Sequence, residues 1–282
     1  MVDLHFHSTF SDGLLAPAQL VELGAQAGLS AMVLTDHDTA DGQQAFAAAA
    51  AAAGISTLTG IELNTDHEGH NLHLLGYGYD PADPGLAALL AKSRAIRVRR
   101  NAAMLSKLSL LGCPISQGEL DAAVGRVAVP GRPHIARALI AKGYSKNVRH
   151  AFDKLLGQGK PAYVKHEKLD AIEAIAVLRA SGGIPVLAHP CECRQKGMSA
   201  ARLREIVTRL AAAGLGGIEV WHSANAPEHA NEFLNLSEAF ALAATGGSDF
   251  HGDMDAHLRL GTGYGRLSVP DTAFEQLRRL LA

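Results

Sequence analysis

The sequence has little of what secreted, membrane-spanning or disulfide-stapled proteins depend on. Its 282 residues include three cysteines, Cys113, Cys191 and Cys193. An odd count, with two of them one residue apart, gives no disulfide framework and poor spacing for a zinc ribbon or a redox pair. Free thiols in a reducing cytoplasm are the expectation. No stretch supplies the ~18 apolar residues of a membrane span, and the Ala-rich run Ala45–Ala53 is too short. No membrane association is expected. A targeting segment is not expected either, because Asp3, His5 and His7 leave no room for a charged region followed by an apolar one. There is no internal repeat, no low-complexity linker beyond the Ala tract, and no feature calling for an obligate protein partner.

What is present is a 48% apolar chain, long enough for one large α/β domain with an insertion. Its net charge of −2 conceals a division. Residues 91–168 carry sixteen Lys and Arg against four Asp and Glu, while the remainder carries ten against twenty-four. A cationic module facing an anionic ligand, set on an acidic cation-binding scaffold, would show this split. A solvated basic helical surface would show it too.

Hydrophobic patterning predicts strands at Val2–His7, Ala31–Thr35, Ile55–Leu63, Leu72–Tyr79, Ile184–Ala188, Gly217–Val220 and Ala244–Gly247. Helical patterns intervene at Pro17–Ala27, the Ala tract, Leu169–Ser181, Ala200–Ala213 and Pro227–Ala243, and Asp271–Leu281 closes the chain. From about Leu86 to Gly159 only helical segments are legible, so the expected organisation is a β/α unit over 1–85 and 160–282 with a basic helical insertion over 86–159. Seven strands with crossover helices predict an α/β fold, a parallel sheet closed into a barrel.

The chemistry sits at the predicted strand ends. In Asp3-Leu-His5-Phe-His7, residues two apart share a strand face, so His5 and His7 can grip one cation. Ser11-Asp12-Gly13 puts a carboxylate on the next tight loop. Asp36-His37-Asp38, Glu62, His73, His189 and the pair Asp249 and His251 follow at later strands or strand ends. Any one of these could be a cap, a turn residue or a hydrogen-bonded core histidine. Six strands or strand ends carrying such residues in one chain point to a shared metal centre.

The ordered set Asp3-x-His5-x-His7, Ser11-Asp12-Gly13, Thr35-Asp36-His37, Gly60-x-Glu62, Ala188-His189-Pro190 and Ser248-Asp249-x-His251 resembles the PHP (polymerase and histidinol phosphatase) family. The resemblance runs from residue 3 to 251. It implies a distorted seven-stranded β/α barrel with two or three divalent metals. On that resemblance His5, His7, Glu62 and Asp249 hold one ion; Asp12, His37 and His251 a second; and Glu62, His73 and His189 a third, with Glu62 bridging. Many relatives have histidine where this chain has Asp12. Within the family, Arg94-x-x-Arg97-x-x-Arg100, Pro133-His134-Ile-Ala-Arg137 and Gly157-x-Gly-Lys160-Pro-x-Tyr163-Val164 are similar to the branch of bacterial 3′,5′-nucleoside bisphosphate phosphatases and 5′-3′ exoribonucleases. The chain departs from it at Cys191-Glu192-Cys193-Arg194, where relatives tend to place Gly-Arg.

These readings imply metal-assisted in-line hydrolysis of a phosphate ester. Imidazole and carboxylate donors suit Mn²⁺ best, with Zn²⁺, Fe²⁺ or Mg²⁺ as alternatives. Arg97 and Arg100, one turn apart, would hold a second phosphate of a nucleotide or short RNA substrate. His134 would touch phosphate or protonate the leaving oxygen, or else cap a helix. Two rival readings are a small-metabolite phosphatase of histidinol-phosphatase type, which leaves the basic insertion unexplained, and a non-catalytic nucleic-acid-binding module.

Overall fold

The computed structural model describes residues 1–124, 130–165, 167–252 and 257–282. Strand β1 (Val2–Asp3) pairs in parallel with β2 (Ala31–Met32), with α1 (Pro17–Gln26) between them and α2 (Gln43–Ala52) following. A second sheet of six strands has the order β5-β3-β4-β6-β7-β8, built from β3 (Gly60–His67), β4 (His70–Tyr77), β5 (Leu169–Asp170), β6 (Ile184–Leu187), β7 (Gly217–His222) and β8 (Ala243–Gly247). Helices α3 (Pro84–Leu110), α4 (Gln117–Val124), α5 (Arg132–Ala141) and α6 (Val148–Ala151), with a π-helical turn at Phe152–Leu156, lie between β4 and β5. The chain continues through α7 (Ala171–Ala180), α8 (Pro190–Gln195), α9 (Ala200–Ala212), α10 (Pro227–Ala239) and α11 (Asp271–Leu280).

This α/β architecture differs in two respects from the expected closed barrel of seven parallel strands. First, β3 and β4 are an antiparallel hairpin, and β4 is also antiparallel to β6. Glu68 and Gly69 form its two-residue turn, both at positive φ (51° and 78°), as such tight hairpins require. The polar tip Asp66-His67-Glu68-Gly69-His70 reads as a loop in the sequence, which is why the expected strands, Ile55–Leu63 and Leu72–Tyr79, are displaced from β3 and β4. Second, the regular ladders form two sheets, joined by isolated bridges at Phe6–Phe250, Ala31–Ser56 and His37–Glu62. The segments after β1 and β2 run extended, but side chains take up part of their backbone hydrogen bonding. Thr35 Oγ1 accepts from Phe6 N–H, and Asp36 Oδ1 from Ser8 N–H. Asp3 Oδ1 accepts from His5 and Ser248 N–H.

Elsewhere local sequence explains local structure. In α9, Leu203, Ile206, Val207 and Leu210 recur at helical spacing and are buried. Ser199 caps that helix by accepting from Arg202 N–H, a contact worth about 1 kcal/mol. Asp83 and Asp170 cap α3 and α7 in the same way. The helices between β4 and β5 have a hydrophobic core of their own, including Met104, Leu108, Leu120, Ile135 and Leu139. Among the described residues no helix is long and apolar enough to cross a membrane.

All three cysteines are free thiols, and Cys191 is buried. Burial pushes its thiol pKa upward, which suppresses the reactive thiolate. A thiol reagent should therefore count three groups in denatured, unreduced protein but leave Cys191 unmodified in the native state. Prompt native labelling of Cys191, or a disulfide needed for folding, would contradict this.

Candidate metal centre

The site forms around Glu62, three residues into β3 and 1% exposed. Five imidazoles touch its carboxylate. His5 Nε2, His7 Nε2 and His37 Nδ1 lie 3.2, 3.1 and 3.1 Å from Oε2. His73 Nδ1 and His189 Nε2 lie 2.6 and 2.9 Å from Oε1. A carboxylate offers about four lone-pair sites, so five rings cannot all be accommodated as simple hydrogen-bond donors. His73 Nδ1 and His189 Nε2 also face one another at 3.2 Å. Converging lone pairs of this kind suit shared cations.

Asp249 completes one group of possible ligands, with Oδ1 3.1 Å from His7 Nε2 and 3.4 Å from His5 Nε2. Asp12, His37 and His251 gather beside His7, and Asp12 Oδ1 is 3.3 Å from His251 Nε2. A third group joins His37, Glu62 and His73, with His189 in contact. The nine residues expected from the sequence as ligands thus come together. The donor set fits divalent ions, since buried imidazoles and carboxylates share one pocket with their ligand atoms a few ångströms apart.

The electrostatics show how charge is held there. Burial opposes ionisation of Glu62 and Asp249, but the surrounding histidines outweigh it and hold both well below the ordinary carboxylate range. Burial likewise opposes a charged His7, yet Asp249 and Glu62 raise its pKa to about 10. His37 goes the other way, to about 4, because burial dominates.

Backbone conformation contributes as well. Asp38, His189 and Asp249 take positive φ values of 54°, 25° and 55°, which for non-glycine residues is strained and is commonly found at functional sites. Close approach matters at Gly247, where an added Cβ would lie 2.4 Å from the His5 backbone nitrogen. A side chain there would displace the segment carrying His5.

Two acidic motif residues face elsewhere. Asp3 binds Ser248 and Gly261 N–H, and Asp36 binds Ser8 and Ser11. Both organise the loops that present the ligands.

Glu219 and His222 were not foreseen. They are three residues apart, which in a regular strand would put them on opposite faces. A register shift between Glu219 and Trp221 brings them to the same side, and with His5 they form a further buried group. An alternating pattern gives no sign of such a bulge.

A cleft of about 280 Å³ opens beside the cluster and is lined by Asp12, His37 and His73. It is also lined by Arg97, Arg100, Arg132, Lys168 and Lys196. Arg97 is engaged, both Nε and Nη2 donating to Asp38 Oδ2, the former at 2.7 Å. Asp38 in turn accepts from Asn64 N–H, so Arg97 braces the loop bearing His37. Arg100 is 7% exposed and, among the described residues, hydrogen-bonds only neutral groups, Asn101 Oδ1 and the Pro130 carbonyl. Burial, with Arg97 and Arg132 nearby, lowers its pKa to about 9. Burial and Arg132 lower that of Lys168 to about 8. Arg132 and Lys168 are further cations that the sequence did not single out. His134 is buried, and its Nδ1 accepts from Gly131 N–H at 2.9 Å as a cap of α5.

A fold of this kind, with histidines and carboxylates gathered around one shared glutamate, defines a metal-dependent phosphoesterase. The chain belongs to the PHP family: the PHP domain matches residues 3–95, and full-length relatives extend the match. It is 36% identical over 250 residues to the 5′-3′ exoribonuclease of Haemophilus influenzae, covering 88% of this chain and 89% of that protein. It is 35% identical over 256 residues to the 3′,5′-nucleoside bisphosphate phosphatase of Chromobacterium violaceum, covering 89% and 87%. A candidate metal-dependent phosphoesterase from Bifidobacterium adolescentis superposes with a TM-score of 0.87 at 31% identity, covering 99% and 96% of the two chains.

Proposed function

We propose that the protein removes phosphate from 3′,5′-nucleoside bisphosphates, from the 5′ end of short RNA, or from both, in the cytoplasm. The observation that carries this is one cleft lined on one part by the Glu62 cluster and on another by five Lys and Arg side chains. A monophosphate of a small metabolite needs the first alone, whereas a ligand with two phosphates uses both. The names of the Haemophilus and Chromobacterium relatives point to the same substrates.

In this reading two or three divalent ions, Mn²⁺ foremost, occupy the ligand sets of His5, His7, Glu62 and Asp249, of Asp12, His37 and His251, and of Glu62, His73 and His189. Bound there, they supply charge neutralisation for phosphate oxygens and lower the pKa of water. The helical unit of residues 86–159 supplies Arg97, Arg100 and Arg132. Arg100 and Arg132, with Lys168, hold the phosphate that is not hydrolysed, while Arg97 reaches the same cleft from its post on Asp38. With Nδ1 accepting from Gly131, neutral His134 carries its proton on Nε2. Burial, with Arg137 beside it, lowers its pKa to about 4. His134 therefore serves as a neutral hydrogen-bond donor better than as a general acid at pH 7.

The test is a hydrolysis screen with added Mn²⁺ that scores released phosphate and released nucleoside monophosphate, comparing a 3′,5′-bisphosphate, a 5′-phosphorylated oligoribonucleotide and histidinol phosphate. The first two should exceed the third in kcat/KM. Preference for histidinol phosphate would favour the metabolite phosphatase, and binding of RNA without turnover would favour a nucleic-acid-binding module.

A further inference from the structure

We propose that Glu219 positions two ligands of the metal centre at once, His5 through its ring and His189 through its backbone. This rests on the metal reading above. Glu219 is fully buried, and both of its oxygens are occupied. Oε1 lies 3.0 Å from His5 Nδ1, and Oε2 accepts from His189 N–H at 2.6 Å. An ionised carboxylate only accepts, so His5 Nδ1 must carry hydrogen. The other ring nitrogen, Nε2, is then left to present its lone pair beside Glu62 Oε2 and Asp249 Oδ1, at 3.2 and 3.4 Å. This is the tautomer that a metal ligand needs, fixed from outside the metal by a carboxylate.

The second contact works on conformation. His189 precedes α8 with φ 25° and ψ 59°, a region disfavoured for a residue with a side chain. The hydrogen bond from its N–H to Glu219 anchors the backbone in that shape. From there the ring reaches Glu62 Oε1 at 2.9 Å and His73 Nδ1 at 3.2 Å. Glu219 thus links histidines on opposite sides of Glu62, one at the Oε2 end and one at the Oε1 end. Each of its oxygens holds one of these donors, which makes it a positioning residue for both histidines. The bulge in β7 is what lets one strand bring Glu219 into this group together with His222.

Glutamine has the same shape but a single acceptor, so Glu219→Gln must set an N–H₂ against either His5 Nδ1–H or His189 N–H. Mn²⁺ affinity, measured by competition with a chelator, should fall about 10- to 100-fold. Saturating Mn²⁺ should restore most of the activity, which repair of a merely structural defect would not do. Glu219→Asp keeps the charge but is too short to span both donors; it should also bind Mn²⁺ more weakly, and it serves as the test should the glutamine variant fail to fold. Unchanged Mn²⁺ affinity in a folded variant, or lost activity that excess Mn²⁺ does not restore, would overturn the role of Glu219 alone. Wild-type protein that binds no Mn²⁺ would overturn the metal reading and this inference with it.

Discussion

Glu62→Gln is expected to abolish most of the activity and to strip the protein of more than one metal ion. Among the described residues, Glu62 is the one carboxylate shared by two of the ligand groups that the geometry forms. Glutamine preserves the shape but removes the negative charge and turns one end into an N–H₂ group. Either His5, His7 and His37 at Oε2, or His73 and His189 at Oε1, would then face a donor. A metal ion contributes several kcal/mol of charge stabilisation to phosphoryl transfer. At 1.36 kcal/mol for each factor of ten, losing one well-placed ion lowers turnover roughly a thousandfold. Elemental analysis of protein purified without chelator should find at least two divalent ions per wild-type chain and fewer in the variant. Asp249→Asn should be less severe, because that carboxylate belongs to one group around Glu62 rather than two. Full activity in metal-stripped wild-type protein would end the metal-centred account.

How much of this was legible in the sequence depended on whether function followed a local period. His5 and His7 share a face because the chain between them is extended, although the ladder itself stops at Asp3. Asp249 and His251 show the same alternation, so the candidate ligands could be gathered from spacing and resemblance. Glu62 was expected at a strand end and lies inside a hairpin. Polar residues at the hairpin tip disguised both strands. Glu219 and His222 escaped notice because a bulge is invisible to an alternating pattern. The excess of positive charge in residues 91–168 was plain, yet which arginines stand free was not. Arg97 and Arg100 look equivalent on one helix, and only the fold brings Asp38 to the first and leaves the second with neutral partners.

That difference separates the two arginines in activity. Arg100→Ala should reduce kcat/KM on a 3′,5′-bisphosphate about ten- to a hundredfold, the equivalent of a charged hydrogen bond worth ~1.5–3 kcal/mol. Activity on p-nitrophenyl phosphate, whose single phosphate the Glu62 cluster would take, should change little. Arg100→Lys should recover part of the loss, since the charge returns without the paired donor geometry. Arg97→Ala should behave differently. It leaves buried Asp38 without its cation, in a strained backbone conformation next to His37. Breaking such a pair by removing one partner destabilises by about 3–5 kcal/mol, and the disturbance reaches a candidate metal ligand. Losses on the two substrates should therefore be similar for Arg97→Ala and unequal for Arg100→Ala. The ratio of the two losses in each variant is the decisive measurement. An equal loss in Arg100→Ala would assign that arginine to the fold. No loss in either variant would remove the basic helices from substrate recognition, because arginines that are merely solvated contribute little.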